Sequence, residues 1–174
     1  YETSSKLKRV IGRPAYFLQG IKMLPAIRKK QLVRIEYDDS VFEGDVLLFF
    51  IANTSSIAGF EKLTPDAIIN DGKFDLLIAK KLSIANFIRL VLLAFRGAHL
   101  NSKQLIYTKA SRIKVETQTD MNINLDGENG GKFPCEFVNL PQHIIMIVPK
   151  QYYEKNQQML NKERSEEHTS ELQS

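Results

Sequence analysis

Two carboxylates in one short segment have a spacing that suits proton-transfer chemistry. Asp126 and Glu128 lie two residues apart in the run Asp-Gly-Glu-Asn-Gly-Gly, which directly follows a predicted strand over residues 121–125. A carboxylate held at the end of a strand can act as a general base. Asp-Gly and Asn-Gly also favour hairpin turns, because these residues adopt positive φ at little cost. The pattern by itself favours a turn and leaves catalysis as the alternative.

A second group of oxygen-bearing side chains has the chemistry of a hard-cation site. Asp66, Asn70 and Asp71 lie within six residues of one another. Mg²⁺ prefers oxygen ligands in near-octahedral geometry, usually one or two carboxylates with waters or backbone carbonyls. Asn-Asp-Gly is also a strong turn signal. Here, too, the pattern alone favours a turn over a metal site.

Residue counts exclude several other chemistries. The single cysteine, Cys135, excludes a disulfide framework and a cysteine-based zinc cluster. His99, His143 and His168 are scattered along the chain, so we expect no histidine-rich metal site. Among the nine glycines only Gly130-Gly131 are adjacent, and they fall in the predicted hairpin. The sequence therefore contains no phosphate-binding glycine loop of the nucleotide-binding types.

Length and composition indicate one ordinary globular domain. The chain has 174 residues, of which 43% are hydrophobic and 25% are charged. The longest apolar runs, 46–52 and 90–95, fall well short of the roughly 20 residues of a membrane-spanning helix. Residues 1–3 lack the features that open a signal peptide. The formal charge of +4 suggests an anionic partner or surface.

The elements that would position the candidate residues are mostly short strands. A helix is predicted from the N-cap Ser83 to Arg96, with Gly97 as its stop. Apolar and polar residues alternate in many of the other segments, as in strands with one wet face. The pattern predicts a mainly β (α+β) fold, an antiparallel β-sandwich-like domain with one long inserted helix. The predicted strands are 32–37, 41–52, 74–79, several from Gln104 to residue 139, and 144–148.

The N-terminal region predicts an amphipathic helix. Pro14 is followed by apolar residues at helical spacing, and Pro25 ends or interrupts the helix. Basic clusters at 6–9 and 28–30 flank this helix. Such clusters are usually solvated faces, but beside an apolar helix they can also hold a protein at an anionic lipid surface.

The two ends of the chain differ from the rest. We expect one domain over residues 1–150, followed by a polar, helix-like extension at 151–163. Residues 164–174 resemble the translation of a sequencing-library adapter and are expected to be a non-native tail, the alternative being a genuine disordered tail. This tail holds one basic and three acidic residues, so the remainder carries a formal charge of +6.

Three segments carry a resemblance to a known family. In this order and spacing they resemble the C-terminal domain of soluble bacterial diacylglycerol kinases, which are related to sphingosine and ceramide kinases. The similarity is greatest to the Gram-positive enzyme and covers about residues 1–150. The segments are 53–60 (NTSSIAGF), 63–75 (LTPDAIINDGKFD) and 124–134 (NLDGENGGKFP).

The resemblance implies a role in lipid phosphorylation. In that family an N-terminal domain of NAD-kinase type holds ATP on a Gly-Gly-Asp-Gly-Thr loop, and the C-terminal β-sandwich supplies the base and faces the lipid. This chain would then be the C-terminal part of a two-domain enzyme that converts diacylglycerol and ATP to phosphatidate and ADP. The ATP domain would be missing before Tyr1, and the isolated chain would be inactive.

The resemblance also assigns roles to individual residues. The family's general base falls on Glu128, with Asp126 as the neighbour that orients the turn. Asn53 and Gly59 fall in the segment that would form a substrate or phosphate loop, where the family's glycine run is reduced to Ala58-Gly59.

The family's structural Mg²⁺ site falls on the turn after Pro65. Asp71 would supply a carboxylate, and Ile68 and Lys73 would supply main-chain carbonyl oxygens. Relatives often have two acidic residues in this turn, but the first of them is Asn70 here. This departure weakens any water-mediated link through position 70 and leaves Asp71 available.

The implied partners are diacylglycerol at an anionic membrane surface, ATP and Mg²⁺. The protein would act in the cytoplasm, bound peripherally to the inner face of the membrane. The oligomeric state stays open, with a homodimer among the arrangements. One alternative is a kinase of the same family for another lipid alcohol, such as a sphingoid base or phosphatidylglycerol. Another is a non-catalytic lipid- or nucleic-acid-binding module, although no basic-aromatic ladder of single-strand binders is present and no nucleic acid is expected.

Overall fold

The computed structural model describes residues 31–55 and 63–171. The predicted N-terminal amphipathic helix, both basic clusters and Gly59 lie outside the described residues. All strand pairings within them are antiparallel. The elements are β1 (Leu32–Tyr37), β2 (Ser40–Ala52), β3 (Phe74–Lys80), α1 (Ile84–Phe95), a 3₁₀ turn (His99–Asn101), β4 (Leu105–Ala110), β5 (Arg112–Thr117), β6 (Asn122–Leu125), β7 (Glu128–Lys132), β8 (Cys135–Val138) and α2 (Lys150–Glu171).

Among the described residues, six strands form the main sheet in the order β4-β3-β2-β1-β5-β8, and β6 and β7 form a separate two-stranded sheet. The long strand β2 joins the two parts of the main sheet. Its first half pairs with β1 and its second half with β3, and the register shifts between Val46 and Leu48. A bulge of this kind bends a strand and increases its twist, so one strand can serve both parts. The antiparallel, sandwich-like fold class with one inserted helix is confirmed.

The core follows from the period-two alternation of the strands. Val33 and Ile35 in β1 and Ile113 and Val115 in β5 are buried, while the residues between them are exposed. Strand β3 differs, since the five residues from Asp75 to Ala79 are all buried. A strand that is covered on both faces usually has a nearly continuous run of apolar residues. Asp75 is the one buried residue of β3 with an ionisable side chain, which is unusual in such a strand.

Local capping explains the limits of α1. The Ser83 side chain accepts a hydrogen bond from the Asn86 N–H at the N-terminus. At the other end Gly97 has a φ of 70°, a left-handed conformation that glycine adopts without a steric penalty. The predicted helix from Ser83 to Arg96 is therefore confirmed.

The predicted strand over residues 144–148 is wrong. These residues follow a turn at 141–142 and belong to no helix or strand. A strand needs a neighbour to hydrogen-bond its backbone, and no neighbour is available to this segment within the described part of the chain.

The helical extension is longer than expected. Helix α2 covers residues 150–171 and includes most of the segment expected to be a disordered or non-native tail. The origin of residues 164–174 stays a prediction. No helix in the described ranges is long and apolar enough to cross a membrane.

Candidate functional site

The turn over residues 63–72 is fixed by buried polar contacts on two sides. The Thr64 side chain is fully buried and donates a hydrogen bond to the Thr54 carbonyl oxygen at 2.7 Å. On the other side, the His99 Nε2 atom lies 2.8 Å from the Leu63 carbonyl oxygen. His99 is 1% exposed. These contacts tie the turn to the end of β2 and to the 3₁₀ turn after α1, so its position is defined by the fold.

Asp71 is the central side chain of this turn. Its carboxylate is 3% exposed. Oδ1 accepts from the Lys73 backbone N–H at 2.9 Å, and Oδ2 accepts from Lys109 Nζ at 2.8 Å. Burial by itself would lower the pKa of Lys109. The hydrogen bond to Asp71 and the negative charge of Asp71 have the larger effect, so the pKa of Lys109 is raised above its ordinary value. The Lys109 side chain therefore stays charged and neutralises Asp71.

Helix α2 adds a second carboxylate to this cluster. Glu163 lies 3.2 Å from Lys109 Nζ and 3.8 Å from Lys73 Nζ. Lys109 therefore bridges Asp71 on the turn and Glu163 on the C-terminal helix. Sequence reasoning missed both Lys109 and Glu163, because they are separated from Asp71 by 38 and 92 positions along the chain.

The three predicted metal-site residues, Ile68, Asp71 and Lys73, lie in the turn 63–72 or directly after it. Ile68 is 2% exposed and lies between Thr64 and Asp71 in the chain. Asn53 contacts the same turn, since its Nδ2 atom lies 3.5 Å from the Ile69 carbonyl oxygen. Two buried oxygens near the turn, Asn53 Oδ1 and Asp75 Oδ2, have no hydrogen-bond partner among the described residues.

The ligand types at this turn, one carboxylate and main-chain carbonyl oxygens, are those that Mg²⁺ prefers. Both Asp71 carboxylate oxygens already accept hydrogen bonds, from the Lys73 N–H and from Lys109 Nζ. No group of three or more His, Cys, Asp or Glu side chains in the described ranges is arranged to hold a metal. A cation at this turn would therefore depend on main-chain carbonyls and waters in addition to Asp71.

A buried Asp75–Tyr107 pair lies beneath the turn. Asp75 is fully buried, and its Oδ1 accepts a hydrogen bond from the Tyr107 hydroxyl. Burial raises the pKa of Asp75 to about 6, although the Tyr107 hydrogen bond and the Lys109 charge oppose this shift. Burial and the hydrogen bond to Asp75 also raise the pKa of Tyr107. An aspartate inside the apolar run 74–79 was the sequence signal that could have revealed this pair.

The Asp75 pKa predicts that stability falls as the pH rises. The folded-state pKa of Asp75 is raised above the ordinary value near 3.8, so the folded protein favours the protonated carboxyl. The contribution of protonated Asp75 to the free energy of unfolding is therefore fully present below pH 3.8 and is lost as the pH rises through about 6. A rise of the Asp75 pKa from 3.8 to about 6 corresponds to a loss of about 3 kcal/mol of stability above pH 6. We expect Asp75→Asn to raise Tm relative to wild type at pH 8 but not at pH 4, as measured by thermal denaturation. An equal difference at both pH values would contradict this assignment.

The Asp126-Gly127 pair forms the tight turn predicted from its sequence. Asp126 has a φ of 50° and Gly127 a φ of 103°, and the Asn124 side chain accepts a hydrogen bond from the Gly127 N–H at 2.8 Å. Two positive φ values suit a two-residue connection between twisted strands. Gly130 is also required, because a Cβ atom there would lie 2.6 Å from Leu125 Cγ. The hairpin therefore has one well-defined conformation.

Glu128 is the first residue of β7 and is exposed. Its carboxylate makes no hydrogen bond or ion pair with the rest of the described chain. The hairpin that carries it is anchored to the core by Ile123, which is 8% exposed, and by Phe133, whose ring lies 5.9 Å from that of Phe49. Within the described ranges, the structure thus presents an unpaired carboxylate on a hairpin that is packed against the core.

The structure gathers the predicted site residues into two groups. Asn53, Ile68, Asp71 and Lys73 lie in or against the turn 63–72. Asp126 and Glu128 lie on the β6–β7 hairpin, and no hydrogen bond or ion pair within the described ranges joins them to that turn. The assigned roles of all these residues stay predictions.

The fold and these two groups define a sandwich-like antiparallel domain with a buried acidic turn and a carboxylate-bearing hairpin. The model of the family described as "YegS C-terminal NAD kinase beta sandwich-like domain" matches residues 2–148. The chain belongs to this family, which confirms the resemblance seen in the sequence.

Individual relatives agree with this assignment. The chain is 50% identical over 155 residues to a protein named diacylglycerol kinase from Bacillus subtilis, a match that covers 89% of this chain and 51% of the relative. It is 47% identical over 160 residues to a diacylglycerol kinase from Staphylococcus epidermidis, covering 92% and 50%. The chain thus spans about half the length of these curated relatives.

A solved structure shares the fold. The crystal structure of a diacylglycerol kinase from Bacillus anthracis strain Sterne superposes with a TM-score of 0.64 at 24% identity. The superposition covers 84% of this chain and 50% of that chain.

Proposed function

We propose that this chain is the lipid-facing, C-terminal part of an ATP-dependent diacylglycerol kinase that forms phosphatidate. The observation that carries the proposal is the exposed carboxylate of Glu128, unpaired within the described ranges, on a hairpin that Ile123 and Phe133 pack against the core. The chain that carries it is 50% identical to a protein named diacylglycerol kinase. The rest of such an enzyme, including its ATP-binding domain, would correspond to the half of the relatives that this chain does not span.

Glu128 acts as the general base in this proposal. Phosphoryl transfer requires the lipid hydroxyl to lie in line with the γ-phosphate and to lose its proton during attack. A glutamate carboxylate held beside the lipid hydroxyl can accept that proton. Asp126 supports this role by adopting the positive φ that closes the hairpin. The hairpin would therefore position the base, and the half of the relatives that this chain does not span would correspond to the part that positions the phosphates.

The turn 63–72 supports the site from beneath in the same proposal. Asp71, with the main-chain carbonyl oxygens of Ile68 and Lys73, would hold Mg²⁺. The ion would supply positive charge that fixes the turn. Asn53 and Lys109 orient the turn whether or not the ion is bound, through their contacts with the Ile69 carbonyl and the Asp71 carboxylate.

An apolar stripe on α1 suits a protein that acts on a membrane lipid. Ile84, Ile88 and Leu92 are spaced four residues apart and are 37–49% exposed. Helix α1 also contains Arg89 and no acidic residue. Apolar and basic residues on one helix are typical of helices that bind at an anionic bilayer surface. Diacylglycerol keeps its acyl chains in the bilayer, so its kinase must work at that surface.

A substrate panel tests this function. This chain would be joined to the half of the Bacillus subtilis diacylglycerol kinase that it does not match, and the chimera assayed in mixed micelles with ATP and Mg²⁺. We expect phosphate transfer to diacylglycerol and little or none in the 174-residue chain alone. Faster transfer to a sphingoid base or to phosphatidylglycerol would establish the alternative lipid kinase.

The binding-module alternative has a separate test. The exposed basic residues on the sheet, Arg34, Arg112 and Lys114, each pair with a glutamate, which leaves no unpaired basic strip among these residues. Steep salt-dependent RNA binding without vesicle binding would favour a nucleic-acid module over a lipid kinase.

A further inference from the structure

A cavity lies between helix α1 and the residues that follow it. Its volume is about 480 Å³, and its walls come from Leu82, from one side of α1 and from residues 98 and 101–104. Volumes of about 300–1,000 Å³ are usual for small-ligand sites. No residue of the turn 63–72 or of the β6–β7 hairpin lines this cavity. It is therefore a further candidate binding site, separate from the two groups described above.

Backbone hydrogen bonds fix the walls of the cavity. The Ala98 N–H donates to the Leu93 carbonyl oxygen at 2.9 Å, which closes the end of α1. The Ser102 N–H donates to the His99 carbonyl oxygen at 3.0 Å, which closes the 3₁₀ turn, and His99 itself is buried. The shape of the cavity is therefore part of the fold.

The lining of the cavity has an apolar part and a polar part. Leu82, Leu90 and Leu93 provide most of the apolar part. The polar part contains two cations, Arg89 and Lys103, and none of the lining residues is acidic. Its other polar side chains are three amides and one hydroxyl, from Asn86, Asn101, Gln104 and Ser102. Cations and neutral donors beside apolar side chains suit an amphiphilic anion.

Both cations of the cavity are available to a ligand. Arg89 and Lys103 are exposed, and neither side chain forms an ion pair or hydrogen bond within the described ranges. The apolar stripe of α1, residues 84, 88 and 92, does not line the cavity. The two cations therefore belong to a separate feature of the same helix.

The surrounding sequence has an excess of positive charge. Residues 76–115 contain eight basic residues and no acidic residue. Three of the eight, Lys109, Arg112 and Lys114, form ion pairs with carboxylates. The other five lie on α1 or near its ends in the sequence: Lys80, Lys81, Arg89, Arg96 and Lys103. Positive charge of this kind raises the local concentration of anions.

We propose that this cavity binds the phosphate group of an amphiphilic ligand, with Arg89 and Lys103 as the charged partners. A phosphate offers at least three acceptor oxygens, so it uses two cations and several neutral donors better than a carboxylate with two oxygens does. The leucine side chains would contact the carbon skeleton of the ligand. Two sources carry this chemistry, the headgroup of a membrane phospholipid and a soluble phosphate ester. The site goes beyond the proposed catalytic function, because it uses neither the hairpin nor the turn 63–72.

Nuclear magnetic resonance tests binding of a soluble phosphate ester. The isotope-labelled 174-residue chain would be titrated with sn-glycerol 3-phosphate in about 0.15 M NaCl, which screens longer-range attraction. We expect the side-chain amide signals of Asn86, Asn101 and Gln104 to shift and to saturate. Glycerol, which lacks the phosphate, should leave them unchanged.

Vesicle sedimentation tests the lipid source. The same chain would be sedimented with phosphatidylglycerol vesicles and with phosphatidylcholine vesicles, whose headgroup carries its own positive charge. Preferential binding to phosphatidylglycerol that depends on Arg89 and Lys103 assigns the site to a lipid headgroup. Shifts with sn-glycerol 3-phosphate, without such vesicle binding, assign it to a soluble ester.

A double variant locates the binding in the cavity. Arg89→Gln with Lys103→Gln should weaken binding at least about tenfold, because it removes the hydrogen bonds to both charged groups. Lys81→Gln with Arg96→Gln is the matched control, since it removes one lysine and one arginine from the same basic segment outside the cavity. The control should bind within about twofold of wild type.

A single variant gives an independent readout with both cations in place. Gln104→Glu adds a carboxylate to the lining and should also weaken phosphate binding, because like charges repel. Arg89, Lys103 and Gln104 are exposed, so Tm of these variants should stay close to that of wild type.

Three results would overturn the inference. They are no binding of either source, an equal loss of binding in the double variant and its matched control, and ester-induced shifts that fall outside the cavity. The second would show that the charge of the whole segment attracts the ligand without a defined site. Because these measurements need no ATP and no turnover, an inactive chimera would count against the proposed function and not against this site.

Discussion

Replacing Glu128 by glutamine is expected to lower kcat of the chimeric kinase by about 10²- to 10⁴-fold, the usual contribution of a general base. Glutamine keeps the shape of the side chain but cannot accept the proton of the lipid hydroxyl. Because Glu128 is exposed and makes no ion pair, the free energy of unfolding should change by less than about 0.5 kcal/mol. Initial rates at saturating diacylglycerol and ATP measure the effect.

A matched variant separates this effect from a general loss of surface charge. Glu43→Gln removes an exposed carboxylate from β2, which belongs to the main sheet and not to the two-stranded sheet of the hairpin. This change should leave kcat within about twofold of wild type. If Glu128→Gln retains activity within threefold of wild type while the fold is intact, Glu128 is not the base.

Replacing Asp71 by alanine is expected to give the largest loss of stability, about 3 kcal/mol. The change leaves the Lys109 ammonium, only 17% exposed, without its closest partner. Breaking a buried ion pair from one side costs more than the pair contributed, because a charge remains in a poorly solvated site. For a chain of this size, Tm should fall by roughly 6–12 °C in a thermal denaturation experiment on the 174-residue protein.

A double-mutant cycle identifies the cause of this loss. Lys109→Met removes the poorly solvated charge that Asp71→Ala would leave with Glu163 as its remaining partner, so the double variant should be more stable than Asp71→Ala alone. Strictly additive effects would show that the Asp71–Lys109 pair is not responsible. In the chimera, Asp71→Ala should also lower activity, and activity that is unchanged and independent of added Mg²⁺ would argue against a cation at this turn.

Much of the fold could be predicted because its determinants are local. The alternation of Val33 and Ile35 with polar neighbours defines β1, and the Ser83 cap and Gly97 define the ends of α1. The turn at Asp126-Gly127 follows from the low cost of positive φ in these two residues. Each signal operates within a few residues, so the structure confirmed each of them.

The surroundings of the candidate site could not be predicted in the same way. Nothing near Asp71 in the sequence indicates that Lys109 contacts its carboxylate, and nothing near Asp75 indicates that Tyr107 is its partner. Both contacts exist because β3 and β4 are adjacent in the sheet. The resemblance located Asp71 and Glu128, but only the fold shows that the first is buried and ion-paired and the second is exposed.

The sequence by itself determined the antiparallel fold class, the hairpin that carries Glu128 and the turn that carries Asp71, because turn chemistry and strand alternation depend on neighbouring residues. The tertiary structure decided which of these residues are buried, which charges are neutralised, and that residues 144–148 form no strand. A strand is completed by hydrogen bonds from another segment, so its apolar pattern specifies the need for a partner but does not supply one.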